Sequence, residues 1–123
     1  MQVGAMIDET SVLLNKLMDV SMRRQAVIAN NMANADTPGF VRREYSFQDK
    51  MAELVKSGDF QGVGEFRGEV VKDTTTPGRV DGNNVQLTSE MSDMAENGVM
   101  QQLLAKSFST RLNILRSAMK GGD

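Results

Sequence analysis

Cysteine and histidine are both missing from this chain of 123 residues. Disulfides, thiolate nucleophiles, the commonest zinc ligands and the usual near-neutral general base are therefore excluded together. Aromatic residues number six, namely Phe40, Tyr45, Phe47, Phe60, Phe66 and Phe108, whereas methionine occurs ten times. That balance suits adaptable helix packing better than an aromatic binding cage. Excess positive charge is absent as well: the net charge is −2 and the pI near 5.2. The basic face that phosphate backbones select is not provided for, and nucleic acid is not an expected partner. Long apolar runs are lacking too. Asp8, Glu9, Lys16 and Asp19 interrupt the first twenty residues, so neither a signal peptide nor a membrane span is expected there. A chain this short fits one domain, which buries only about two-thirds of its unfolded surface. A large self-sufficient core is not expected.

What is present is helical patterning at both ends. Met6, Leu13, Val20 and Val27 recur every seven residues, with Ile7, Leu14 and Ile28 one position on and Leu17 between them. This stripe predicts an N-terminal helix within residues 6–37. Thr37 is pushed from helical angles by Pro38, and Pro38-Gly39 fits the centre of a type II turn. The second stripe steps alternately by four and three through Leu87, Met91, Met94, Gly98, Gln101, Ala105, Phe108, Leu112, Leu115 and Met119. A 3.5-residue period sustained that far predicts a coiled-coil seam along a helix over residues 87–120. Thr88 is its expected cap, with Glu90 in the first turn and Arg116 and Lys120 near the end. Leu13, Leu17, Val20 and Val27 are expected to pack against Leu87, Met91, Met94, Ala105, Phe108, Leu112 and Leu115, in this chain or in its neighbours.

Residues 38–86 form a turn-rich middle punctuated by Gly58, Gly62, Gly64, Gly68, Gly78 and Gly82. Gln48 to Lys56 is a candidate short helix and Glu65 to Lys72 a candidate strand. The expected fold class is thus mainly α: two long terminal helices forming a coiled-coil pair, joined by an irregular middle, all within one subunit. Helices that bury only their facing stripes leave a marginal chain that assembly would complete. Periodicity alone does not separate a hairpin from a polymer.

The segment Ala29-Asn30-Asn31-Met32-Ala33-Asn34-Ala35-Asp36-Thr37-Pro38-Gly39-Phe40 is unusual in placing three asparagines in five residues at a helix end. The plain interpretation is a fraying terminus whose amides bond local backbone. The sharper one is close helix approach over alanine, with buried Asn31 and Asn34 setting register. This segment, with Val41-Arg42-Arg43-Glu44 after it, resembles the signature of flagellar rod and hook axial proteins. Asp81-Gly82-Asn83-Asn84-Val85, then Leu87, Glu90-Met91 and Ala95-Glu96-Asn97, resembles the block before the last helix in proximal-rod members of that family. One departure stands out, since the family often has Leu-x-Tyr where this chain reads Gly98-Val99-Met100.

The resemblance implies a structural subunit of the basal body's periplasmic rod, exported by the flagellar type III apparatus without a cleaved signal peptide. It implies self-association through the terminal helices, with other rod proteins, membrane-ring and rod adaptor proteins and the export apparatus as partners. Carried over, Asn30, Asn31, Asn34, Thr37, Pro38, Gly39 and Phe40 are one set of assembly-motif positions, and Asp81, Gly82, Asn83, Asn84 and Val85 the other.

Other chemistries find little support. Asp81 to Asn84 lacks the alternating ligands and distal Glu of a calcium loop, and Gly58 to Gly68 lacks the Lys-Ser/Thr ending of a phosphate loop. No catalytic residue, cofactor or metal is expected. Arg42, Arg43 and Glu44 are expected to form a solvated charged face. Another short rod subunit and a cytosolic coiled-coil adaptor are the alternative functions, with a small hydrolase the weakest.

Overall fold

The computed structural model describes residues 2–121, with side chains from residue 9 onward. The first helix, α1, spans Gln2–Ala33, about 48 Å at 1.5 Å per residue. The positions of Met6 and Ile7 in its stripe lie outside the described side chains. α1 stops at Ala33, four residues short of the expected limit at Thr37, because its ladder tightens: Ala35 N–H donates to Met32 O (3.2 Å) and Thr37 N–H to Asn34 O (3.1 Å), the i to i−3 spacing of a closing turn. The type II turn then forms as its sequence predicts. Gly39 has φ of +74°, and Phe40 N–H reaches Thr37 O at 3.2 Å.

The middle segment folds as strand β1 (Arg43–Ser46), helices α2 (Gln48–Lys56) and α3 (Phe60–Glu65), and strand β2 (Glu69–Lys72). β1 and β2 pair antiparallel, with Tyr45 opposite Val70. The candidate helix at Gln48–Lys56 is present with Met51 and Leu54 buried, but Val55 points outward. The candidate strand is shorter than expected, because Glu65 closes α3. Two glycines hid that helix from pattern counting. It forms because Asp59 Oδ1 accepts from Gly62 N–H at 2.9 Å and Val63 is fully buried, a capped start with one buried anchor. A side chain at Gly62 would collide with Asp59 and Leu54.

The last helix, α4, spans Leu87–Lys120. Its start is not capped by Thr88: Gln86 is the N-cap residue and no side chain caps it. α4 packs antiparallel on α1, since Glu90 meets Asn31 near one end and Asn97 meets Ser21 further along. The core lies mostly on another side of α1. There Val20 joins Tyr45 and Met51, with Leu13, Leu17, Val27, Phe47 and Phe66 packed around them. The N-terminal stripe therefore packs against the middle segment, which supplies Tyr45, Phe47 and Phe66 to that core.

The seam of α4 is rotated by one position on every second step. The positions turned inward are Glu90, Met94, Asn97, Gln101, Leu104, Phe108 and Arg111, still alternating by four and three. Met94 and Phe108 are as expected, but Leu87, Met91, Ala105, Leu112 and Leu115 are exposed in the single chain. The physical reason is that Glu90 and Asn97 have polar partners waiting on the other side of the interface. A buried polar group that is hydrogen-bonded competes successfully with an apolar one at the same face.

Candidate assembly site

The two motif blocks lie far apart in sequence and fold onto each other at one end of the helix pair. Asn83 is fully buried, and its side-chain amide donates to Asn34 O and Thr37 O, each at 2.8 Å. The same two carbonyls accept from Thr37 N–H and Phe40 N–H in the turns after α1, so Asn83 fastens onto the backbone of those turns. Its own carbonyl oxygen accepts from Val85 N–H at 2.7 Å, and Val85 is buried. Gly39 N–H donates to Asp81 O at 2.7 Å. Gly39 and Gly82 meet across this junction, both at positive φ, and a Cβ on Gly82 would stand 3.4 Å from the Gly39 Cα. Arg79 closes the outer side by donating to Val85 O (2.8 Å) and Ala35 O (2.6 Å).

Asn31 and Asn34 have different surroundings. Asn31 is 0% exposed, and it pairs with the backbone of β1 as a neighbouring strand would. Its Nδ2 donates to Arg43 O at 2.8 Å, and its Oδ1 accepts from Arg43 N–H at 2.9 Å. The same Nδ2 lies 3.3 Å from Glu90 Oε2. Asn34 is only half-buried, and its amide bonds Asn30 O within the helix at 2.9 Å. Asn30, Thr37 and Pro38 are exposed, while Phe40 is half-buried. Asn84, buried, accepts from Arg42 N–H at 2.7 Å and donates to Asp73 O at 2.9 Å.

Beneath the junction lies a charged cluster that the sequence did not announce. Arg42 is not part of a solvated face: its side chain is 13% exposed, against 1% for Glu90 and 6% for Asp73. Its Nε donates to Glu90 Oε1 at 2.7 Å, and its Nη1 to Asp73 Oδ2 at 2.7 Å and Glu44 Oε1 at 2.6 Å. Burial works against the Arg42 charge, but the bonds to Glu44, Glu90 and Asp73 outweigh it and hold its pKa above the ordinary value. Hydrogen bonds from Thr76, Arg42 and Thr75 hold the Asp73 carboxyl well below the usual carboxylate range. Every buried side-chain nitrogen and oxygen among the described residues has a partner. One guanidinium thus ties the start of β1, the end of β2 and the first turn of α4 into a single joint.

Sequence reasoning missed Arg42, Asp73, Glu90 and Asn97 as structural residues. The available signal was periodic: Glu90 and Asn97 are seven apart and keep the alternating four and three steps with Met94 and Gln101. Counting only apolar residues assigned both to the outside.

Beside the junction, α1 and α4 leave an open groove of about 670 Å³ lined by Met18, Met22, Gln25, Ala26, Ala29, Gln101 and Ala105. It is apolar, wide and set along both helices, unlike a catalytic cleft. No helix among the described residues is long and apolar enough to cross a membrane.

Comparison with known proteins finds flagellar rod proteins. The family model described as "Flagella basal body rod protein" matches residues 22–40, the C-terminal part of α1 and the turn after it. The flagellar basal body rod protein FlgB of Bacillus subtilis is 30% identical, the match covering 80% of this chain and 84% of that protein. FlgB of Borrelia hermsii is 31% identical over 79% of this chain and 86% of its own length. FlgB of Escherichia coli is 22% identical over 96% of this chain and its full length.

Proposed function

The chain belongs to the FlgB family of flagellar basal body rod proteins, and from that premise we propose that it builds the proximal, periplasmic part of the rod, polymerising through its terminal helices. Membership makes it a structural subunit of the basal body rod, not an enzyme. In the proposed role the helices form part of a drive shaft that transmits torque and surrounds the export channel. Copies of the same chain, other rod proteins, ring and rod adaptor proteins and the export apparatus are its partners.

The observation that carries assembly through the helices is the surface that α4 leaves uncovered. Leu87, Met91, Leu112, Leu115 and Met119 are all exposed in the single chain, a row that would be costly to leave in water. The motif residues contribute differently. Asn31, Asn83 and Asn84 spend their hydrogen bonds inside the subunit, so their role is to fix the junction that presents the helices to neighbours. α1 is not itself a removable leader, because Leu13, Leu17 and Val20 are built into the core and removing this helix would remove the fold. Deleting the gene is the direct test. Cells should retain the membrane ring and lack rods, and rods of normal length in that strain would refute the role.

A further inference from the structure

Asn97-Gly98 is the one Asn-Gly step in the chain. Asparagine before glycine is the most reactive asparagine step in an unfolded chain, because no side chain shields the next backbone nitrogen. That nitrogen loses its proton to water and attacks the asparagine Cγ. The Cγ–Nδ2 bond breaks, ammonia leaves with a proton returned by water, and the cyclic imide that remains then takes up water. Opening at one carbonyl gives aspartate and at the other isoaspartate, so water is the only co-reactant.

The folded chain holds both reacting groups apart. Asn97 is 2% exposed, and its Nδ2 donates to Ser21 O on α1 at 2.8 Å. The Gly98 N–H belongs to the ladder of α4, and helical backbone angles at Asn97 turn that nitrogen away from its Cγ. This guard is only as firm as the docking of α4. Of the 34 residues of α4, Glu90, Asn97 and Leu104 are the buried ones. Among the described residues beyond Phe108, all but Arg111 are exposed. A helix held by so few buried contacts opens more readily than the core around Val20 and Tyr45. Gly98 loosens it further, since glycine is a poor helix former.

We propose that Asn97 is a deamidation site guarded by α1: a chain with α4 undocked converts it to aspartate or isoaspartate, and the converted chain no longer closes the α1–α4 seam. The second half follows from the same contact. A carboxylate at position 97 faces the Ser21 carbonyl, acceptor against acceptor, with the donor gone and water largely excluded. Isoaspartate adds a main-chain methylene and interrupts the helical ladder. The seam thereby becomes a one-way check. A chain that docks α4 promptly keeps its amide, and one that stays open loses the means to dock.

The full chain is aged in neutral buffer with and without urea, and peptide mass spectrometry with isoaspartate-directed methylation reads each asparagine. In urea, position 97 should convert ahead of every other asparagine, and at least about tenfold faster than in buffer. Gly98→Ala, which sets a methyl group beside the attacking nitrogen, should slow the reaction in urea severalfold, a readout that needs no folded chain. Asn97→Asp should lower the urea midpoint further than Asn97→Ala, which loses the same bond without adding a charge. Conversion led by another asparagine, equal rates with and without urea, no slowing by Gly98→Ala, or an Asn97→Asp chain as stable as Asn97→Ala would each overturn the guarded site. None of these would touch the rod role, which falls only if the deletion strain builds normal rods.

Discussion

Replacing Arg42 by alanine strands two carboxylates at once. Glu90 is 1% exposed and Asp73 6% at their side chains, and each loses its 2.7 Å contact with the guanidinium. Removing one partner of a buried ion pair costs roughly 3–5 kcal/mol. Because Arg42 keeps 13% exposure and water can enter once it is gone, the lower end of that range, about 3 kcal/mol, is expected here. Domains of this size are stable by about 5–15 kcal/mol, so the loss is a large share of the total. With a urea slope of about 1.5 kcal/mol/M, the unfolding midpoint should fall by about 2 M. The assay is urea unfolding followed by circular dichroism at the helical band. Glu90→Gln, which leaves Arg42 paired with Asp73 and Glu44, should cost less than half as much. The double variant Arg42→Met with Glu90→Met should recover most of the loss, since a well-packed apolar pair is often as stable as a buried ion pair. A loss below about 1 kcal/mol for Arg42→Ala would refute the cluster as the joint between β1, β2 and α4.

Three further outcomes follow from the same geometry. Asp73, whose carboxyl is held below the ordinary range by Thr76, Arg42 and Thr75, contributes stability that is full above the unfolded carboxylate value of about 4 and is lost as pH falls toward its depressed folded value. The Tm gap between the natural chain and Asp73→Asn should accordingly be constant above about pH 5 and narrow below about pH 4, and a gap that widens on acidification would reverse the sign. Asn31→Leu leaves the Arg43 N–H and C=O without their partner and should cost about 2–4 kcal/mol in chemical unfolding, whereas Asn34→Leu, which loses two exposed local bonds, to Asn30 O and from Thr37 Oγ1, should cost under about 1 kcal/mol. Equal losses would contradict the division between the two asparagines. Gly98→Ala should raise the Tm of the isolated chain through about 0.5–1 kcal/mol of added helix propensity, because its Cβ would stand in open space, and a lowered Tm would show a contact there.

The long helices were legible because periodicity and terminal punctuation both act within a few residues. The alternating stripe up to Met119, the Thr37-Pro38-Gly39 stop and the α2 anchors Met51 and Leu54 all express local rules. The motif was legible as a family signature, but its internal use was not. Asn31 and Arg43 are twelve residues apart, Asn34 and Asn83 forty-nine, and no local pattern marks a hydrogen bond closed over such distances. The helix α3 was lost to its glycines, one of which is required by the side chains of Asp59 and Leu54.

By itself, then, the sequence determined two amphipathic helices, a turn after the first, the absence of cysteine and histidine and the rod-type signature. Only the tertiary structure decided which face of each helix is inside. Leu13, Leu17 and Val20 turned to Tyr45 and Met51, and α4 turned Glu90 and Asn97 inward at the expense of Met91 and Ala105. The reason is that a polar side chain's preference for burial is set by its partner. Arg42, Asn31 and the Ser21 carbonyl come within reach of α4 only after the chain has folded.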